Sequence, residues 1–532
     1  MTKKLLFALT TTLIVLLMNT MINSEKMEEG TTMNTLKINL AFGDVPTLHP
    51  HTGVDLRSRS LEKALFEGLT RLDPTGNPIP AGASKIEMSS SKKEYTFYLR
   101  PHVWSNGESV LASDYEKAWK NALLPNSECR YGEYFYIIKN GEKAKKGEIS
   151  IDEVGVRALD DRTLQVELEH PAPYFLTLTA SALFSPLYRG EMQEPSVFNG
   201  PFIIDAWEKE QHLKLIPNPQ YWDHENVEKM VIEAYMVKDE RVAFDMYEQG
   251  QINWIGDPFS PLPKEAIPQL EKTKLLKKKE IARVCLLHLN TREFPLSSKK
   301  IRQALDYAID RQELCNHIFI GQLAHASAVP YPYSLLDADT SILRSHEDKA
   351  RLLFDEALDE LNLSKKDFPT LTFTYSQESL FKNMAQYLKD RWETVLGIKI
   401  KLQALEWNVL FSELNRHQFQ LSTCFQANFF NDPIYNLKMY EKAAEQVNWS
   451  GWENPHYQKL LNEIRVSTDQ QKRQQLLKEA EEILMEERPT IPLSTQIYLY
   501  STNDEIENLT LTDLGYVEFK YTHFKKPALS KR

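Results

Sequence analysis

Between residues 371 and 403 the hydrophobic period of the chain switches from two to 3.6 and back, and this stretch constrains the fold most. Residues 371–375 (LTFTY) read as a short strand. Phe381, Met384, Ala385, Leu388, Trp392 and Val395 then recur on one helical face, and Gly397 stands where a helix takes a left-handed C-terminal residue. Ile398, Ile400 and Leu402 alternate with Lys399, Lys401 and Gln403, as in a half-buried strand. Strand, helix and strand at this spacing make a βαβ unit with a right-handed crossover. The fold class expected is therefore α/β.

Short strands dominate up to about residue 285. Leu164, Val166 and Leu168 alternate with Gln165, Glu167 and Glu169, 212–216 alternates likewise, and 95–99 is another β-type run. Asn106-Gly107 and Asp160-Asp161 read as turns. Ser113 with Glu116 three residues on reads as a capping box, opening a helix whose apolar face is Tyr115, Ala118, Trp119, Ala122 and Leu123. Beyond 285, long helices separate the strands. The last two, around 457–464 and 471–484, stop before Pro489 and Pro492. At 532 residues there is room for two or three domains, and no internal repeat points to a solenoid.

Two lysines followed by an apolar run over 5–18 read as a secretory signal ending near Ser24, since a spanning helix wants about 20 apolar residues. An uncleaved anchor or a buried helix is the alternative. No cysteine precedes Cys129, so the expectation is a free periplasmic protein without a lipid. The net charge of −11 disfavours nucleic acid or an anionic membrane surface as partner, because both need a basic face. Cys129, Cys285, Cys315 and Cys424 lie far apart, which argues against zinc, while an oxidising compartment permits disulfides. The chain holds no Gly-x-Ser-x-Gly, no His-Glu-x-x-His and no phosphate-binding glycine loop. His49-Pro50-His51 is the only close histidine pair. Its proline breaks helical ligand spacing, so solvent-facing or turn histidines are expected rather than a metal site.

Longer stretches carry more than periodicity. LFEGLTRLDPTGNPIPAGASK and YTFYLRPHVWSNGESVLASDYEKAWKNAL fill most of 65–123. PTLHPHTGVDLRSRSLEKALFEGL precedes them, with Leu48-His49-Pro50-His51 in place of Leu-Asp-Pro-His. VGVRALDDRTLQVELEHPAPYF, FNGPFIIDAWEKEQHLKLIPNPQYWD (Phe202 in place of a tyrosine) and SSKKIRQALDYAIDRQEL follow in order. Over about 35–500 the chain resembles the oligopeptide-binding proteins that serve ABC importers.

The resemblance implies a two-lobed periplasmic-binding-protein fold of the large, three-domain α/β type. A discontinuous first lobe (35–66, 184–284 and 499–532) would carry a strand-rich insert (67–183), and 285–498 would form the other lobe. It implies capture of short peptides in a closing cleft by a monomer, which hands them to the permease subunits of an ABC importer. No catalytic residue, cofactor or metal is implied. Val54, Asp55 and Leu56 map onto a strand lying beside the ligand, and Trp407, from its Glu-Trp pair, onto a ligand pocket or ordinary core. Arg416, in Asn415-Arg416-His417-Gln418, maps onto a residue facing a ligand carboxylate, or is simply solvated. Gln426 and Ala427 replace a tryptophan-cysteine pair, and Phe429 stands where the family holds an aspartate for the peptide ammonium. A buried ammonium without a carboxylate costs several kcal/mol. Hence Asp432 or a residue elsewhere supplies that charge, or the ligand amine is absent or placed differently. The resemblance also suggests pairing Cys285 with Cys424, against two buried free thiols. A binder of modified or cell-wall-derived peptides or of another solute stays open, as do an extracytoplasmic hydrolase and a structural surface protein.

Overall fold

The computed structural model describes residues 33–525 apart from Val54, 337–339 and 445–446. The expected signal segment, residues 1–24, lies outside the described residues, as does Val54. Among the described residues no helix is long and apolar enough to cross a membrane.

One mixed sheet organises the chain. Its strands run in the order Ile400–Leu405, Leu371–Ser376, Leu421–Ala427, Lys277–Leu289, Thr490–Thr502, Trp254–Gly256, Asn34–Asn39, Met230–Tyr235, His212–Pro217 and Phe202–Glu208. The βαβ unit is present as expected. Leu371 pairs with Ile400 in a parallel register, the helix Ser379–Val395 buries Phe381, Met384, Ala385, Leu388, Trp392 and Val395, and Gly397 has φ +70°. At the centre of the sheet two strands of 13 residues each, Lys277–Leu289 and Thr490–Thr502, run antiparallel. Each pairs at one end with strands from a different half: Thr502 with Trp254 on one side, Leu289 with Leu421 on the other. Their ladder is interrupted between Glu280 and Val284 and again between Cys285 and Leu286. Inside the first gap Ala282 instead donates its N–H to Asp513 and accepts from Asn428 at 2.8 Å. A bulged ladder bends more readily than a regular one.

A separate antiparallel sheet, Ala83–Met88, Glu94–Leu99, Thr163–Glu167 and Val156–Asp160, packs on the helix Ala112–Ala122. The apolar face anticipated for that helix is its buried face, with Tyr115 and Trp119 wholly enclosed. Its start differs from expectation. Asp114 accepts from the Leu111 N–H at 3.0 Å, while Glu116 turns away to Lys120 and the Ala158 N–H, so Ser113 and Glu116 form no capping box.

Two further expectations change. All four cysteines are free and buried. Cys285 lies opposite Phe425 and Cys424 opposite Leu286, one step apart in the ladder. Neighbouring residues on a strand face opposite sides of the sheet, so the two thiols point away from each other and cannot bridge. His49 and His51 sit in a turn but are buried, not solvent-facing, and burial drives His51 down to about 3.

Candidate ligand site

The helix Leu56–Leu65 places the charges of the site. Asp55 caps it, accepting from the Arg57 and Ser58 N–H groups at 2.9 Å. Asp55 and Leu56 therefore start a helix rather than forming the ligand strand inferred from the resemblance: the carboxylate is the cap, and Leu56 packs on the core. One turn on, Arg59, Glu62 and Lys63 face a cavity of about 30 Å³, shared with Tyr131, Phe429 and Tyr516. That volume suits one or two water-sized groups.

The second wall comes from the segment after strand Leu421–Ala427. Phe429 stacks on Tyr134 with centroids 4.2 Å apart, Phe430 on Tyr174 at 4.5 Å, and Tyr134 Oη donates to Tyr435 Oη at 2.9 Å. The Arg59 guanidinium lies 4.7 Å above the Phe429 ring and 5.1 Å above that of Tyr131. Gln426 and Ala427 end the preceding strand, opposite Val284 and Arg283 of the central ladder. Asp432 is not the free substitute carboxylate considered above. It makes a two-pronged ion pair with Arg473, both contacts 2.9 Å, and accepts from the Ile434 N–H at 3.0 Å. Its oxygens are occupied within the protein.

Trp407 and Arg416 stand apart from this group. Trp407 opens the helix Trp407–Asn415, is 41 % exposed and touches Phe411, so it is not core. Arg416 is exposed and folds back onto the Ser412 carbonyl and hydroxyl.

Most buried charges nearby are matched. Arg71 bridges Glu67 at 2.9 Å and Glu518 at 2.5 Å, and Lys63 donates to the Ala180 carbonyl at 2.8 Å. Burial alone would raise Glu67, but Arg71, Lys63 and Lys520 outweigh it and hold the group at about 2. Glu62 is the exception. It is 2 % exposed, and its Oε1 is the only buried carboxylate oxygen among the described residues without a hydrogen-bond partner. Burial pushes Glu62 up to about 8, against the opposing pull of Arg59. Gly53 leaves it room: a Cβ there would lie 1.8 Å from Glu62 Oε1. Sequence reading missed Arg59 and Glu62, because RSRSLEKAL reads as an ordinary amphipathic helix with a charged outer face. Only the packing of remote segments turns that face inward.

A sheet continuous through two long central strands, with a cavity between segments from either side, defines a solute-binding fold of the two-lobed kind. Residues 77–448 match the family described as bacterial extracellular solute-binding proteins, family 5 (middle), and the chain belongs to that family. It is 34 % identical over 518 residues to the oligopeptide-binding protein OppA of Bacillus subtilis, covering 94 % of this chain and 95 % of that one. The substrate-binding domain of an oligopeptide ABC transporter from Bacillus anthracis matches with TM-score 0.75 at 27 % identity, over 93 % of this chain and 99 % of that one. OppA of Listeria monocytogenes bound to peptide has the same fold, with TM-score 0.75 at 24 % identity, over 93 % and 100 % of the two chains.

Proposed function

We propose that this protein captures short peptides by closing its two lobes and delivers them to an ABC importer. The observation that carries the reading is the central strand pair Lys277–Leu289 and Thr490–Thr502. It joins the two halves and is interrupted where Ala282 bonds Asp513 and Asn428 beside the cavity. We divide the chain into lobe I (35–66, 184–284 and 499–532), the insert 67–183 and lobe III (285–498). Closure then brings Phe429 and Phe430 of lobe III against Tyr134 and Tyr174 of the insert. Ligand that touches both sides shifts the population toward the closed form, because only differential contact moves such an equilibrium. A peptide backbone carries its own donors and acceptors, so main-chain bonding can hold many sequences. The relationship to the B. subtilis oligopeptide-binding protein supports peptide as the solute class. The protein acts as a monomer, exported and free outside the cytoplasm, docks in closed form on permease subunits and releases its ligand unchanged.

Native mass spectrometry of freshly purified protein should find co-purified peptides, and calorimetry with tri- to pentapeptides should show saturable binding. A preparation that carries and binds no peptide, or that cleaves the peptides offered, would refute the reading.

A further inference from the structure

The cavity behind Phe429 holds a carboxylate that nothing in the protein uses. Glu62 lies on the buried side of its helix, with Oε1 unpartnered and Gly53 making the space beside it. Arg59, three residues earlier, makes no ion pair with it within 4 Å. Its guanidinium rests instead over Phe429 and Tyr131. An isolated carboxylate taken out of water is costly, and Gln at the same place would avoid the charge. A matching cation of water size offsets that cost, and the cavity admits a group of that size. Asp432, the other carboxylate near Phe429, is bound by both prongs of Arg473 and is unavailable.

We infer that Glu62 receives the α-ammonium group of the bound peptide, while Arg59, beside it, donates to the carbonyl oxygen of the ligand's first residue. This assignment rests on the peptide reading above. It moves the amine anchor from the segment after strand Leu421–Ala427, where Phe429 stands, to the helix Leu56–Leu65. A carboxylate and a guanidinium one helical turn apart match the ammonium and carbonyl of a peptide N-terminus, and an acylated amine offers no cation to the first of them. The charged groups acting on Glu62 are Arg59, which draws its pKa down, and Asp55 and Glu194, which push it up.

The test is calorimetry of the full-length mature protein with a tripeptide and its N-acetylated form. Wild type should prefer the free amine by about 30-fold, the value of one hydrogen-bonded charge pair. Glu62→Gln should bring the two affinities together, and a circular dichroism spectrum matching that of wild type reports that the variant is folded. In wild type, repeating the titration in two buffers of different ionisation enthalpy should show about one proton released near pH 7 with the free amine and none with the acetylated form. Binding of both peptides with a ratio untouched by Glu62→Gln, or with equal proton exchange, would overturn the Glu62 assignment alone. Binding of neither peptide to wild type would overturn the peptide reading and the anchor together.

Discussion

Replacing Phe429 with alanine removes the ring that joins the two walls of the cavity and should open the protein in the absence of ligand. Phe429 is 9 % exposed, and its ring meets Tyr134 at 4.2 Å, Tyr131 at 5.4 Å and the Arg59 guanidinium at 4.7 Å. Each aromatic pair contributes about 1 kcal/mol beyond burial, and a cation–π contact about the same. On the lobe division proposed above the partners lie across the cleft, so the loss falls on the closed form rather than on folding. About 3 kcal/mol shifts the open–closed equilibrium by about 100-fold. Small-angle scattering of ligand-free protein should show a larger radius of gyration for Phe429→Ala than for wild type, at unchanged helix content by circular dichroism. Peptide affinity should fall by up to the same factor, because ligand must then drive closure unaided. The scattering arm separates closure from direct ligand contact, which would weaken binding without changing the free protein. An identical scattering profile, with affinity altered by less than about threefold, would refute the reasoning.

Other expectations follow from the same contacts. Asp432→Asn should cost about 3 kcal/mol in urea unfolding by stranding Arg473, with amine selectivity unchanged; a cost below about 1 kcal/mol would show that the pair is not the structural tie described here. Thiol counting on unfolded, unreduced protein should find four free cysteines, and two would contradict the opposite-facing register of Cys285 and Cys424. Glu62 is raised from its ordinary 4.5 to about 8, so the folded protein binds more protons than the unfolded chain between those values and wild-type stability falls as pH rises through that window. Ligand-free Glu62→Gln should lack this loss and gain about 4 kcal/mol on wild type between pH 4.5 and 8, read from urea midpoints; parallel pH profiles would contradict a buried, unpaired carboxylate.

Hydrophobic period specified the α/β class, the βαβ unit at 371–403 and the strands at 95–99 and 164–168, because side-chain alternation is local and each element must bury one face, while residue type marked the turns at Asn106-Gly107 and Asp160-Asp161. Stretches such as LFEGL and SNGESVLASDYEKAW carry the family resemblance in the sequence itself. Register was beyond that reach: the one-residue offset that keeps Cys285 and Cys424 on opposite faces depends on how strands more than a hundred residues apart align. The helix start was ambiguous for a related reason: Ser113 reads as a cap, yet the helix begins at Ala112, and Asp114 in its first turn accepts from both the Leu111 N–H and the Trp104 indole N–H. The site was the least legible part. Asp432 looks available in sequence and is taken by Arg473, while Glu62 looks like a solvated helix charge and is enclosed by Phe429, Tyr131 and Tyr516 from three remote segments. Which charges are paired and which face a cavity is decided by contacts between segments distant in the chain, and only the tertiary structure brings those together.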